Sequence, residues 1–111
     1  MELKIRKTSD IYIIDINGDL DLYNSFKLKT LYDRMSDKGV KRFIINMENV
    51  DYLDSSGLGS LIYITAQCKK KTEEIVICNL CRSPMRVVQL THLDKIFHIE
   101  NTLDDGLHAI A

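Results

Sequence analysis

Hydrophobic and polar positions along this chain switch between a period of two and a period near 3.6, and the switches lay out its elements. Met1 to Arg6 alternates Leu3 and Ile5 with Glu2, Lys4 and Arg6, the pattern of a half-exposed edge strand. Ile11 to Ile16 (IYIIDI) is denser and predicts a second strand covered on both faces, closed by the turn signal Asn17-Gly18. From a cap at Asn24 or Ser25, residues Leu28, Leu31, Tyr32 and Met35 recur at helical spacing until Lys38-Gly39 ends the pattern. Arg42 to Met47 (RFIINM) reads as a buried strand.

Val50 to Leu61 (VDYLDSSGLGSL) follows it and turns the chain into a helix that starts near Gly57. That helix places Leu58, Leu61, Ile62, Thr65 and Cys68 on one face and ends in Lys69, Lys70 and Lys71, where a helix dipole favours cations. Glu74 to Cys78 (EIVIC) predicts another buried strand. Ser83-Pro84 then reads as a cap and first helical position, with Val87, Leu90 and Leu93 spaced as a helix face. Phe97 to Glu100 alternates again. A last helix begins at Asn101 or Thr102, with Asp104 and Asp105 in its first turn and Leu103, Leu107 and Ile110 on one side.

Strands and helices that alternate in this way build an α/β fold with a mixed, mainly parallel β-sheet, here of about five strands flanked by about four helices. No proline-rich linker, low-complexity tract or repeat divides the chain, so residues 1–111 are expected to form a single domain. In such sheets the loops at the carboxyl ends of the strands carry function. Asp54-Ser55-Ser56-Gly57-Leu58-Gly59 is one of those loops, and its serines are expected to cap the helix that follows.

Charge narrows the partners. Fifteen basic against 16 acidic residues give a formal net charge of -1, too little to hold nucleic acid or an anionic membrane through a global field. The amino terminus lacks the apolar stretch of a signal peptide, and no later run approaches the roughly 18 apolar residues of a membrane span. The three cysteines, an odd number, suggest reduced thiols. These features point to a soluble, cytoplasmic protein.

The candidate chemistry is sparse. A hydrolase elbow needs G-x-S-x-G, but Leu53 and Leu58 stand where the glycines should be, and His92, His98 and His108 share no motif with either serine. G-L-G-S has neither the length nor the lysine of a nucleotide-binding P-loop. Cys78-x2-Cys81, with His92 and His98 beyond, falls short of zinc-finger spacing, so no metal and no other cofactor is expected. Asp19 and Asp21 follow one strand, and Asp51 and Asp54 another, so the two sets can meet at one sheet edge or remain solvated turn residues.

Two stretches resemble the bacterial anti-sigma factor antagonists, whose fold is the STAS domain. Gly18-Asp19-Leu20-Asp21-Leu22-Tyr23-Asn24-Ser25 is similar to the family's G-E-L-D turn and helix start, with Asp19 in place of the usual glutamate. Val50 to Gly59 resembles its phosphorylation motif almost letter for letter. The resemblance implies a switch rather than an enzyme. Ser55 would be the phosphoacceptor, and Asp19, Asp21, Asp54, Ser56, Gly57, Leu58 and Gly59 would contribute to recognition. The implied partners are an anti-sigma factor that is also a serine protein kinase, and a metal-dependent serine phosphatase. The unphosphorylated form would bind the kinase and free the sigma factor. The alternative is a STAS scaffold or small-ligand-binding module without a kinase cycle.

Overall fold

In a computed structural model that describes residues 2–110, the amino-terminal alternation forms β1 (Glu2–Thr8), so the expected strand position at Met1 lies outside the described residues. A two-residue turn, Ser9-Asp10, joins β1 to β2 (Ile11–Asn17), with Ser9 in the left-handed region at φ 57°. The pairing is antiparallel and leaves β1 at the sheet edge, where Ile5 is 48% exposed and Lys4, Arg6 and Lys7 are also exposed. Charged edge strands of this kind resist pairing with another chain.

β3 (Arg42–Asn49), β4 (Glu74–Cys78) and a two-residue β5 (Ile99–Glu100) add in chain order, each parallel to its predecessor. Four helices connect and cover them: α1 (Leu22–Asp37), α2 (Ser55–Lys71), α3 (Arg82–Leu90) and α4 (Leu103–Ala109). The expected mixed, mainly parallel sheet is therefore what the chain forms.

Parallel strands need crossover connections, and the crossing helices bury both faces of the sheet. Leu28, Tyr32 and Met35 of α1 and Leu58, Leu61, Ile64 and Cys68 of α2 pack with Ile14, Ile16, Phe43, Ile45, Met47 and Ile77, joined by Val88 of α3. Leu103, Leu107 and Ile110, from α4 and its end, cover Ile11, Ile13, Ile44, Val76 and Cys78 in a second cluster. Each fully buried aliphatic side chain contributes roughly 1.5–3 kcal/mol relative to exposure.

A polar knot sits in this interior, at the far ends of α1 and α2. Glu73 is 8% exposed and its carboxylate accepts from the Tyr32 hydroxyl and, at 2.5 Å, from Ser36 Oγ. Lys71 Nζ donates to Ser36 Oγ at 3.1 Å. Burial, followed by the bond to Glu73, pushes the Tyr32 hydroxyl well above its ordinary pKa, and burial pushes the Cys68 thiol up to about 12.

Several boundaries differ from the expected ones. The α1 cap is Asp21 rather than Asn24 or Ser25, and the α3 cap is Cys81 rather than Ser83, which puts Pro84 at the third helical position. Ile62 and Leu90, expected on buried faces, are 40% and 71% exposed, whereas Ile64 and Val88 are buried. Phe97 and His98 do not belong to the last strand. A 3-10 turn at Leu93–Lys95 precedes them, and Phe97 turns into the core. Thr102, one of the two expected caps, does start α4 by accepting from Asp105 N at 3.0 Å.

Candidate functional site

The loops after β2 and β3 are stitched together. Leu20 and Leu53 form an isolated parallel bridge, with Leu20 N–H donating to Tyr52 O at 3.0 Å and Asp54 N–H to Leu20 O at 3.3 Å. Both leucines are buried, at 0% and 4% exposure. The bridge extends the β2–β3 pairing past the ends of the strands and holds the amino ends of α1 and α2 next to each other.

Each end is capped by the aspartate after its bridging leucine. Asp21 Oδ1 accepts from Asn24 N at 2.9 Å, and Asp54 Oδ1 accepts from Gly57 N at 2.9 Å. An N-cap carboxylate satisfies one of the orphan amides of the first turn and complements the helix dipole. The expectation that the serines cap α2 is therefore corrected: Asp54 is the cap, and Ser55 and Ser56 are the first two residues of the helix. A helix starting two residues earlier than expected leaves Ser55 exposed at its rim and Ser56 half-buried.

Gly57 explains how closely the loops meet. A Cβ at this position would lie 2.1 Å from Leu20 O and 2.8 Å from Leu53 Cδ1, so any side chain would force the two loops apart. At Gly59 an added Cβ would meet nothing within 4 Å. Leu58 points inward and is 8% exposed, and Ser60 Oγ donates to Gly57 O at 2.6 Å. Gly57 and Leu58 thus shape the loop from beneath, while Asp19, Asp51 and Ser55 face solvent and Asp21 and Asp54 are partly covered.

The two acidic sets do meet at one sheet edge, with Asp21 and Asp54 occupied as caps rather than left as solvated turn residues. Asn24 Nδ2 donates to Asp19 O at 3.0 Å and steadies the first loop.

Sequence reasoning missed the surface beside this loop. Leu22, Tyr23 and Phe26 of α1 are 74%, 75% and 71% exposed, and Tyr52 is 51% exposed. They form an apolar fringe on the bridged loops and the first turns of α1, of a kind that monomeric proteins rarely expose without use. The signal was present: Leu22, Tyr23 and Phe26 fall out of phase with the buried set Leu28, Tyr32 and Met35.

The cysteines and histidines stand elsewhere. Cys78 is buried, Cys81 Sγ donates to Glu48 O at 3.2 Å, and His98 Nε2 lies 2.7 Å from Glu100 Oε2. Among the described residues no group of three or more histidine, cysteine or acidic side chains is placed to hold a metal ion, and no helix is long and apolar enough to cross a membrane.

Known proteins share this architecture. The family model described as the STAS domain matches residues 2–106. An anti-sigma-B factor antagonist of Staphylococcus aureus is 28% identical over 101 residues, covering 89% of this chain and 94% of its own. Among solved structures, a Thermotoga maritima protein assigned as an anti-sigma factor antagonist superposes with a TM-score of 0.92 at 22% identity, over 97% of this chain and 93% of that one. The Bacillus cell fate determinant SpoIIAA in its phosphorylated form gives 0.76 at 17% identity, over 99% and 100%. At these identities the structural likenesses establish the fold.

Proposed function

The chain belongs to the STAS domain family, and on that premise we propose that it is an anti-sigma factor antagonist switched by the state of Ser55. Unphosphorylated, it binds an anti-sigma factor that is also a serine protein kinase and so releases the sigma factor. Phosphorylation of Ser55 by that kinase ends the contact, and a metal-dependent serine phosphatase restores it. The observation that carries this reading is the placement of Ser55, exposed as the first residue of α2 and beside the apolar fringe.

The parts divide by chemistry. Leu22, Tyr23, Phe26 and Tyr52 offer apolar contact area, Asp19 and Asp21 offer charge, Gly57 and Leu58 hold the acceptor loop in its shape, and Ser56 and Gly59 complete the stretch that the kinase recognises. Phosphate adds a charge of about -1.5 to -2 next to the Asp54 cap. Unit charges about 4 Å apart interact by about 1 kcal/mol in water and about 4 kcal/mol at a near-surface effective dielectric. Each 1.4 kcal/mol or so is tenfold, so phosphorylation is expected to weaken kinase binding by roughly ten- to a thousandfold with little backbone movement.

Calorimetry with the cognate kinase tests this on the wild type, its phosphorylated form, Ser55→Ala and Ser55→Asp. Ser55→Ala should bind like the unphosphorylated protein and stay bound when ATP is supplied, and Ser55→Asp should be weakened only partly. Equal affinities for Ser55→Ala and the phosphorylated protein would remove the switch and leave the scaffold or small-ligand reading in its place.

A further inference from the structure

The outer face of α3 is arranged against the stability of its own helix. Arg82 is the first residue of α3, Arg86 stands one turn further on, and both are exposed. The first turn has no acidic residue, and the N-cap Cys81 makes no side-chain capping bond. Cations at a helix amino end oppose its dipole, and like charges four residues apart repel. Among the described residues neither arginine has a carboxylate within ion-pair distance. Around the two arginines, Leu80, Met85, Gln89 and Leu90 complete an open groove of about 550 Å³, and Leu90 is 71% exposed at its end.

We infer that this face is a second docking surface that receives an acidic amphipathic helix of a partner protein. Local arrangements that cost stability without return inside the fold mark places where something outside it completes them. Carboxylates four residues apart on an incoming helix have the same spacing as Arg82 and Arg86, and guanidinium groups pair with them in two-bond geometry. An apolar side chain on the same face of that helix drops between Leu80, Met85 and Leu90, where the flexible methionine adapts to its shape. Two cations on a chain of net charge -1 are too few for nucleic acid or an anionic bilayer, and a concave groove suits side chains better than a flat membrane.

The inference does not depend on Ser55, because none of the groove residues belongs to the bridged loops. The test is nuclear magnetic resonance titration of the full isotope-labelled chain with a synthetic amphipathic helical peptide bearing glutamates four residues apart beside a leucine stripe. Shift changes should cluster on residues 80–90, weaken with added salt, and persist in Ser55→Ala. The double variant Arg82→Glu/Arg86→Glu should bind at least about tenfold more weakly, as should Leu90→Ser. Both variants change exposed side chains, and the unperturbed remainder of their spectra reports an intact fold. Changes centred away from α3, equal binding by the double variant, or equal binding of a peptide with lysines for glutamates would overturn the inference. Binding to phosphatidylglycerol vesicles without any response to the acidic peptide would also overturn it, assigning the face to a lipid surface.

Discussion

Two glycines two residues apart carry opposite constraints. At Gly57 an alanine methyl would fall 2.1 Å from Leu20 O, a backbone atom that cannot step aside without moving the loop. Gly57→Ala is expected to destabilise by about 1–3 kcal/mol, the usual range for overpacking. At Gly59, inside α2 with open space around it, alanine removes backbone freedom from the unfolded chain and is expected to stabilise by roughly 0.5–1 kcal/mol. Urea unfolding of the two variants side by side checks both signs. In the sequence both glycines are simply loop letters, because the partner that forbids a side chain at Gly57 lies in another loop, brought there only by the sheet.

At the scale of elements, the same distance effect governs the helix starts. An aspartate followed by serines offers several possible caps, and the sequence order alone does not select one. The parallel bridge at Leu20 and Leu53 fixes the extended backbone of Asp21 and Asp54, with φ of -115° and -99°, and so makes those two residues the caps. Asp54→Ala and Asp21→Ala should each cost about 1 kcal/mol, within the usual 0.5–2 for lost caps. Because the two loops share hydrogen bonds, the double variant should depart from the sum of the singles by at least about 0.5 kcal/mol. Asp54→Asn should keep most of the stability while removing the charge beside Ser55. Thermal unfolding of the four variants measures all of this. The two-residue β5 was hard to place for a related reason: Phe97 belongs by hydrophobicity to a strand, but it anchors the preceding turn in the core.

For the whole molecule, the order of strands and helices was legible because each long element carries a strong period, and right-handed crossovers leave few ways to stack them. Side-chain pairing across the sheet was not legible. Asp15 of β2 accepts from Arg6 Nε at 2.6 Å, from Arg6 Nη2 at 2.8 Å and from Asn46 Nδ2 at 2.8 Å, linking three strands. Burial works to raise the Asp15 pKa, but the hydrogen bonds from Arg6 and Asn46 outweigh it and hold the carboxyl below its ordinary value. The stabilisation is therefore complete above the unfolded carboxylate pKa of about 3.9 and is lost as pH falls through the lower folded value. Urea midpoints measured from about pH 6 to about pH 2 should fall less steeply in Asp15→Asn than in the wild type.

The bridge between Leu20 and Leu53 also decides what the kinase proposed to act on Ser55 would see. The surroundings of Ser55, the proposed acceptor, are assembled from two stretches of chain more than thirty residues apart, and they come into contact only after β2 and β3 have paired in register. Parallel pairings close long loops and form late, whereas the β1–β2 hairpin closes locally and early. The surface around Ser55 is thus a discontinuous epitope that exists only on a finished molecule. A peptide copied from residues 50–61 carries the letters of the motif without its shape.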